Sequence, residues 1–422
     1  MDRRNTNFPK HFFWGASTAA HQVEGGNHNQ WTVWELEHAK EQAQTAHQRM
    51  SWIPAWNEIK DQAEEPENYI SGAGVDHYNR YKEDFGIAKK MNLNAFRFTI
   101  EWSRIEPEEG KWDEKEIAHY KRYIAELRRQ KLEPFLTLWH WTVPVWFADK
   151  GGFEKKENLD YFDRFVQKVA DELIEDVEYV ITINEPNVDT SFAYLLGLHP
   201  PAKRSVFNFM KVYWNLTRVH NRAYKILKRS KPLLQVGMSA QLANIQPKRP
   251  HNWLDLTTTQ WMRYFWNWWF LRRVRKNQDF IGLNYYFSDY YTGLGKRHNP
   301  KVPLNDMGWY MEPEGIYPLM VRVWARFKKP IFITENGLAD EHDQHRQWWI
   351  EQTVVAMERA ISEGVDLRGY FHWSLLDNFE WQDGWWPKFG LVEVNRKTMK
   401  RTLRPSAKWY TELLGDIQHH NK

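Results

Sequence analysis

Two short segments of the chain place glutamates where a carboxyl group could act as a catalyst. They are Thr182-Ile-Asn-Glu-Pro186 and Ile333-Thr-Glu-Asn-Gly337, and each sets its glutamate, Glu185 or Glu335, just after a short β-branched run. Two carboxyl groups that face each other across one pocket are the minimal apparatus for cleaving a glycosidic bond. Because the two glutamates lie far apart in the sequence, only a closed tertiary fold could bring them together.

The two carboxyl groups would need different protonation states. Retaining cleavage uses an ionised nucleophile and a protonated acid about 5–5.5 Å apart. A fixed cation such as Arg97 and a donor such as Tyr286 would keep Glu335 ionised, and the charge of Glu335 would raise the pKa of Glu185. Either glutamate alone is more simply interpreted as a salt-bridged carboxylate at a strand end. Two motifs with flanking Asn, Pro or Gly favour the catalytic interpretation.

Strand-like runs alternate with amphipathic, charge-rich segments along the whole chain. The predicted strands are residues 12–16, 95–99, 134–138, 179–183, 234–239, 280–283, 331–334 and 369–373, and the clearest helical segments are 116–129, 160–175, 206–228, 314–327 and 345–363. This alternation predicts an α/β fold, a single (β/α)₈ TIM barrel with loop insertions. We expect residues 58–74 to form a long loop after the first strand. Since no linker divides the chain, residues 1–422 are predicted to be one domain.

Residues that could bind a sugar collect at the carboxyl ends of the predicted strands, which is the functional face of such a barrel. They are Gln22 after strand one, Arg97 in strand two, His140 and Trp141 after strand three, Asn184 and Glu185 after strand four, Asn284 and Tyr286 after strand six, Glu335 after strand seven, and Trp373, Glu380 and Trp381 at or after strand eight. Gln22, His140, Asn184 and Glu380 offer hydrogen bonds, whereas Trp141, Trp373 and Trp381 offer flat apolar faces. Taken singly, His140 is as readily interpreted as a hydrogen-bonded core histidine as a ligand, whereas Trp373 and Trp381 would be interpreted as core residues.

Composition argues against several other classes of protein. The chain has no cysteine, and its 17 histidines form no HExxH or early H-x-H motif, so neither a metal nor another cofactor is predicted. The net charge of +4 is too small to indicate that the protein binds nucleic acid or an anionic membrane. The run Leu271-Arg-Arg-Val-Arg-Lys276, beside several tryptophans, is interpreted as a solvated helix face. Neither a signal peptide nor an apolar run of 18 residues is recognisable, and we expect a soluble, cytoplasmic protein.

Six motifs, taken in order, resemble those of glycoside hydrolase family 1, the β-glucosidase and β-glycosidase group. The resemblance covers nearly the whole chain. Its motifs are Phe13-Trp-Gly-Ala-Ser-Thr-Ala-Ala-His-Gln-Val-Glu-Gly25, Phe96-Arg-Phe-Thr-Ile-Glu-Trp-Ser-Arg-Ile105, Thr182-Ile-Asn-Glu-Pro186, Ile281-Gly-Leu-Asn-Tyr-Tyr286, Ile333-Thr-Glu-Asn-Gly337 and Trp373-Ser-Leu-Leu-Asp-Asn-Phe-Glu-Trp381.

The resemblance implies a retaining exo-β-glycosidase that removes a terminal β-linked sugar, chiefly β-D-glucose, with β-galactose or β-fucose as further substrates. Its partners would be small β-glycosides or short oligosaccharides. It implies Glu185 as acid/base and Glu335 as nucleophile. The same resemblance implies that Gln22, His140, Trp141, Asn184, Glu380 and Trp381 bind the glycone, that Trp373 is a stacking platform, that Arg97, Asn284 and Tyr286 support the nucleophile, and that Trp309 lies at the aglycone mouth.

The chain departs from the family pattern between strand five and strand six. Residues 239–284 form a shorter stretch than relatives usually carry, which predicts a more open and less selective aglycone site. A catalytically impaired sugar-binding protein and a basic, Trp-rich interaction protein are the alternatives. The sequence leaves the oligomeric state open.

Overall fold

The computed structural model describes residues 8–420 and shows a closed barrel of eight parallel strands. The ends of the predicted domain, residues 1–7 and 421–422, lie outside the described residues. The strands are β1 Phe13–Ser17, β2 Ala95–Thr99, β3 Glu133–Trp139, β4 Tyr179–Asn184, β5 Gln235–Gln241, β6 Phe280–Tyr285, β7 Ile331–Asn336 and β8 Leu367–Trp373. Each strand pairs with the next in sequence, and β8 pairs with β1. The predicted barrel is confirmed.

Helices cover the outside of the barrel and bury the outer face of its strands. The longer ones are Gln30–Gln44, Trp56–Ala63, His77–Lys90, Glu114–Arg129, Leu159–Glu172, Val206–Ser230, Trp253–Arg263, Ile316–Phe327, Arg346–Ser362 and Pro405–His420. The helix Trp253–Arg263 continues through a π-helical turn, Tyr264–Trp268, into Trp269–Val274. Within residues 8–420, no helix is both long and apolar enough to cross a membrane.

Residues 58–74 were expected to be a loop, and this prediction is wrong. The segment is largely helical, since it contains most of Trp56–Ala63 and a 3₁₀ turn, Pro66–Tyr69. Trp56, Ile59 and Ala63 recur at a spacing of three to four and are buried together. The burial of apolar side chains that recur at the helical spacing therefore outweighs the preference for a loop that the Glu, Pro and Gly residues indicated.

Aromatic side chains fill the lower part of the barrel, toward the amino ends of the strands. The Phe135 ring stacks on Tyr179 at 4.3 Å and meets Phe371 edge-on at 4.6 Å. Glycine makes room for these rings, because a Cβ on Gly15 would lie 2.5 Å from the Phe371 ring. This packed plug closes the barrel below, and polar side chains at the upper ends of the strands surround a cavity.

Smaller sheets flank the upper end of the barrel and its last strand. Three short strands, Asn244–Pro247, Ser288–Thr292 and Gly295–Lys296, pair beside the cavity mouth after β5 and β6. A hairpin of Val392–Asn395 and Lys400–Leu403 follows β8. The stretch between β5 and β6 is therefore built from one short strand and the helical segment that starts at Trp253.

Candidate active site

A cavity of about 360 Å³ opens at the carboxyl ends of the strands, where the sequence placed its candidate residues. Nine of these candidates line it: His140, Trp141, Glu185, Tyr286, Trp309, Glu335, Trp373, Glu380 and Trp381. The other four, Gln22, Arg97, Asn184 and Asn284, lie behind them and are buried. The structure therefore brings both glutamates to one cavity, with the remaining candidates around them.

Glu335 is held as a carboxylate by one cation and one hydroxyl. The Arg97 guanidinium forms a buried ion pair with Oε1 of Glu335, and the Tyr286 hydroxyl donates to Oε2 at 2.7 Å. Arg97 itself is fixed from three sides, since it also donates to Thr137 Oγ1, Asn184 Oδ1 and the carbonyl of Thr334. A buried charge that is paired and hydrogen-bonded in this way stays ionised and keeps its orientation.

Glu185 lies in a different environment that favours the protonated carboxyl group. Burial raises the pKa of Glu185 well above its ordinary value, and the negative charge of Glu335 raises it further. The hydrogen bond from Asn284 and the charge of Arg97 act in the opposite direction and are outweighed. Two carboxyl groups whose environments separate their protonation states are the arrangement that acid/base chemistry at one centre needs.

The backbone at Glu185 is strained to aim its side chain. Glu185 adopts the left-handed conformation, with φ 44° and ψ 58°, immediately before the helix Pro186–Ser191. Its N–H donates to the carbonyl of Ser239 on β5 at 2.8 Å. Trp141 and Trp381 also have positive φ, and such positions cost about 1–3 kcal/mol each. The surrounding barrel holds these three residues in conformations that a free chain would avoid.

Asn284 contacts Glu185 rather than Glu335, the residue it was expected to support. Its Nδ2 donates to Glu185 Oε1 at 2.8 Å and to Asn184 Oδ1 at 3.2 Å. The Thr334 hydroxyl donates to Oδ1 of Asn284 at 2.6 Å and thereby turns the amide nitrogen toward Glu185. The hydrogen bonds of the Asn284 amide nitrogen therefore go to Glu185 and Asn184, and its expected support of Glu335 stays a prediction.

The hydrogen bonds of Asn184 determine the tautomer of His140. Oδ1 of Asn184 accepts from Arg97, so its Nδ2 must donate to Nε2 of His140, at 3.0 Å. The proton of His140 therefore lies on Nδ1, which has no protein partner within residues 8–420. Burial and the charge of Arg97 lower the pKa of His140 well below its ordinary value, so the ring is neutral. Its free Nδ1–H is a donor for a sugar hydroxyl.

Gln22 and Glu380 offer hydrogen bonds at the other side of the cavity floor. Gln22 Nε2 donates to the carbonyl of Phe379 at 2.7 Å and to Glu380 Oε2 at 3.3 Å, while its buried Oε1 finds no partner in the described part of the chain. Burial raises the pKa of Glu380 to about 8 despite the hydrogen bond from Asn378. A protonated Glu380 can both donate and accept, as recognition of vicinal hydroxyls requires.

Three indole rings wall the cavity, and each is fixed by neighbours. The Trp141 Nε1 donates to the carbonyl of Asn184 at 3.1 Å, and the Trp141 ring lies 4.6 Å from that of Trp381. Trp373 is buried beside the His140 ring at 5.9 Å. The ring of Trp381 also stacks on His21 at 5.4 Å. These faces can pack against the apolar C–H surface of a sugar.

The mouth of the cavity contains residues that sequence reasoning missed. Gln241 lines it from the end of β5, and Met262 and Trp266 line it from the helical segment that follows. The strand-end pattern could have found Gln241, but the fifth strand was predicted to stop at residue 239. Trp309 lies where this cavity meets an outer one of about 770 Å³, which it also lines.

Sugar cleavage is the chemistry that this arrangement can perform. The Glu335 carboxylate, which is ion-paired with Arg97, and the Glu185 carboxyl group, whose pKa is raised, face one small cavity with aromatic walls. Among residues 8–420, no cluster of three or more His, Asp or Glu side chains could hold a metal ion. A parallel barrel with this pair at its carboxyl end defines the site of a glycoside hydrolase.

Comparison with known proteins identifies the family. The sequence model described as Glycosyl hydrolase family 1 matches residues 4–277 and 271–418. The chain is 30% identical to β-glucosidase A of Thermotoga maritima over 455 aligned positions, which cover 96% of this chain and 97% of that protein. The chain therefore belongs to glycosyl hydrolase family 1, and the recognised resemblance is confirmed.

Solved structures agree over the full length. A β-glycosidase from Pyrococcus horikoshii superposes with a TM-score of 0.85 at 33% identity, covering 97% of this chain and 95% of that one. A β-glucosidase from Thermotoga maritima in complex with glucoimidazole superposes with a TM-score of 0.86 at 28% identity, covering 97% and 99%. The chain is thus a glycoside hydrolase, and the alternative of a catalytically impaired sugar-binding protein finds no support.

Proposed function

We propose that the protein is a retaining exo-β-glycosidase that releases a terminal β-D-glucosyl group, with β-galactosides and β-fucosides as further substrates. The observation that carries this proposal is the unequal pair of carboxyl groups. Glu335 is ion-paired with Arg97 and hydrogen-bonded by Tyr286, whereas burial and the charge of Glu335 keep a proton on Glu185. The first is equipped as a nucleophile and the second as an acid.

In the first step the Glu335 carboxylate attacks the anomeric carbon. The bond between that carbon and the glycosidic oxygen breaks, and the leaving oxygen takes the proton of Glu185. The sugar is then joined to Glu335 by an ester bond. Because Glu335 has lost its negative charge, one cause of the raised pKa of Glu185 disappears, and Glu185 remains as a carboxylate.

In the second step Glu185 acts as a base. It takes a proton from water while the water oxygen attacks the anomeric carbon, and the ester bond to Glu335 breaks. Glu335 returns as a carboxylate and Glu185 is protonated again, so the site is ready for another cycle. Two displacements at one carbon restore the original β configuration.

The shape of the cavity supports removal of a terminal sugar. The aromatic plug closes the barrel below, and the floor carries the free Nδ1–H of His140, Oε1 of Gln22 and the carboxyl group of Glu380. One sugar would sit there, with its aglycone past Trp309 in the outer cavity. The β-glucosidase relatives support glucose as the preferred sugar. The cavity mouth beyond Trp309 supports a broad choice of aglycone.

The stereochemistry of the product tests this proposal. Proton NMR of an aryl β-glucoside digest should show β-glucose first, with α-glucose appearing only by later mutarotation. Initial α-glucose would contradict the retaining mechanism. A panel of aryl β-glycosides that differ only in the sugar would rank glucose, galactose and fucose. If no sugar is released between mildly acidic and mildly basic pH, the proposed activity is wrong.

Three other expectations accompany this proposal as predictions. Residues 1–422 would act as one catalytic domain, the protein would work in the cytoplasm, and its partners would be small β-glycosides or short oligosaccharides without a nucleic acid. The oligomeric state stays open.

A further inference from the structure

Positive charge is concentrated in one part of the chain. Residues 190–278 contain 16 of the 58 basic side chains but only one of the 54 acidic ones, Asp255. The remaining chain therefore has an excess of acidic side chains, and the small net charge of the whole protein hides this asymmetry. The single acidic residue is itself paired with Arg249, and Lys203, Arg222 and Lys228 are paired with acidic residues outside this stretch.

Exposed apolar side chains are concentrated in the same region. Of the 16 large apolar side chains that are exposed in residues 8–420, nine lie on two helical segments, 206–230 and 253–274. Soluble proteins rarely expose such side chains together, and a shared patch of them indicates a binding surface. We call these nine residues and the basic side chains among them the basic apolar face.

The first helix carries its exposed apolar residues on one stripe. Val206, Phe207, Met210 and Trp214 are 39–74% exposed and recur at the helical spacing of three to four. Lys211 is exposed and follows Phe207 by four positions, so it projects from the same side of the helix. This stripe lies near the start of the helix, at the barrel end that contains the cavity.

The second helical segment presents a matching stripe. Trp253, Leu256, Trp261 and Phe265 are 40–71% exposed, and the rings of Trp261 and Phe265 stack at 5.8 Å. The two segments are neighbours, because the buried Trp269 contacts Trp214, with ring centroids 5.9 Å apart.

Arg273 bridges the two helical segments. Its guanidinium lies over the rings of both Trp269 and Trp214, at 3.6 and 5.1 Å. The first stripe and the second helical segment therefore meet at Trp214 and Arg273, where an apolar ring and a cationic group lie together.

We propose that the basic apolar face binds the surface of a lipid bilayer rich in anionic headgroups. Tryptophan and phenylalanine insert at the boundary between headgroups and acyl chains, while lysine and arginine attract the anionic headgroups. A second copy of the chain is disfavoured as the occupant, because it would bring one positive surface against another. A nucleic acid would use the charge but would leave Val206, Phe207 and Met210 exposed to water. This proposal departs from the expectation that net charge excludes a membrane.

The basic apolar face adjoins the active site. Met262 and Trp266 line the catalytic cavity, while Trp261 and Phe265, one position earlier in each case, face solvent. One helical segment thus separates the cavity from the proposed bilayer surface. Docking there would bring the cavity mouth close to β-glycosides whose aglycones are embedded in the membrane.

Vesicle flotation tests the proposal directly. The full-length protein is mixed with vesicles of phosphatidylcholine alone or of phosphatidylcholine with roughly 40% of the anionic lipid phosphatidylglycerol. We expect flotation with the anionic vesicles at about 0.05 M NaCl and its loss at about 0.5 M, because salt screens the charge.

The double variant Phe207→Glu/Trp261→Glu should lower the partition coefficient for anionic vesicles at least ~10-fold. Its hydrolysis of a water-soluble aryl β-glucoside should be unchanged.

Leu233→Glu is the matched control, because Leu233 is 86% exposed but precedes β5 at the opposite end of the barrel. It should float like the wild type. The proposal is overturned if anionic vesicles bind no protein at low salt, or if both variants lose binding equally. It is also overturned if the protein binds an oligonucleotide but no vesicle, or if sedimentation shows a dimer that the double variant abolishes.

Discussion

At the scale of single residues, the two glutamates differ because of the groups that touch them. Glu335 has Arg97 and Tyr286, which bind only the ionised form well, whereas Glu185 has one neutral amide and a nearby negative charge. Two chemically identical side chains therefore have environments that favour different protonation states.

Glu335→Gly should abolish hydrolysis of aryl β-glucosides, with kcat reduced at least ~10⁴-fold, while the circular dichroism spectrum is retained. The truncation leaves room beside Arg97 and Tyr286 for a small anion such as formate or azide. We expect added azide to restore part of the activity and to yield a glucosyl azide. Glu341→Gly, at an exposed carboxylate after β7, is the control and should keep full activity. Full activity of Glu335→Gly without azide would contradict the nucleophile assignment.

Glu185→Ala should affect substrates according to their leaving group. Poor leaving groups need the proton of Glu185 and should lose about 10²–10⁴-fold in kcat/KM, whereas a dinitrophenyl glucoside should lose far less. In the wild type, activity should be present below the raised pKa of Glu185 and fall as the pH rises through it. The variant should lack that alkaline fall. Equal losses for good and poor leaving groups would argue against the acid role.

Protonation of Glu380, a residue of the sugar-binding cavity, makes the stability of the fold depend on pH. Its pKa of about 8 in the fold lies above the ordinary value, so the fold favours the protonated form. This stabilisation is present below the ordinary pKa and is lost as the pH rises through about 8. Glu380→Gln should therefore raise Tm by about 1–3 °C at pH 9 relative to the wild type, with little change at pH 5, and should weaken glucoside binding. Parallel Tm curves against pH for both proteins would refute this coupling.

At the scale of elements, the excursion between β1 and β2 supports the active-site wall. The helix Gln30–Gln44 begins with a capping box between Asn29 and Thr32 and carries Glu35 on its buried side. Glu35 Oε1 lies 2.7 Å from His21 Nε2, and its Oε2 accepts from Ser71. Because His21 stacks on Trp381, this helix holds a wall of the cavity from behind.

Glu35→Ala should lower stability and loosen that wall. The change leaves His21 and the Ser71 N–H buried without this acceptor, which costs about 1–3 kcal/mol. We expect a lower Tm and a KM for aryl β-glucosides raised several-fold as Trp381 loses its support. Glu37→Ala, at an exposed position of the same helix, should change neither quantity. A lower Tm with an unaltered KM would show that Glu35 stabilises the fold without positioning Trp381.

At the scale of the whole molecule, the sequence was sufficient to predict the barrel and to predict that the candidate residues lie at the carboxyl ends of its strands. Hydrophobic periodicity and the residue types at strand ends are set by the path of the backbone. The predicted strands therefore agree with β1–β8 within one or two residues. The direction of a side chain depends on its neighbours. Asn284 turns toward Glu185 because Thr334 occupies its oxygen, a contact that no spacing rule contains. The basic apolar face could not be predicted from the sequence either, because the solvent exposure of a side chain depends on how the elements pack.

The closed barrel also predicts how the protein unfolds. Because β8 pairs with β1, the first and last strands complete one closed sheet, and no strand of the barrel can leave without exposing the aromatic plug. We expect activity, far-UV circular dichroism and tryptophan fluorescence to be lost at midpoints within about 2 °C of each other. An inhibitor that occupies the active-site cavity should raise all three midpoints together, because it would bind the folded barrel and not the unfolded chain. Two separated transitions, with only one of them shifted by the inhibitor, would show that the chain contains two folding units instead of one domain.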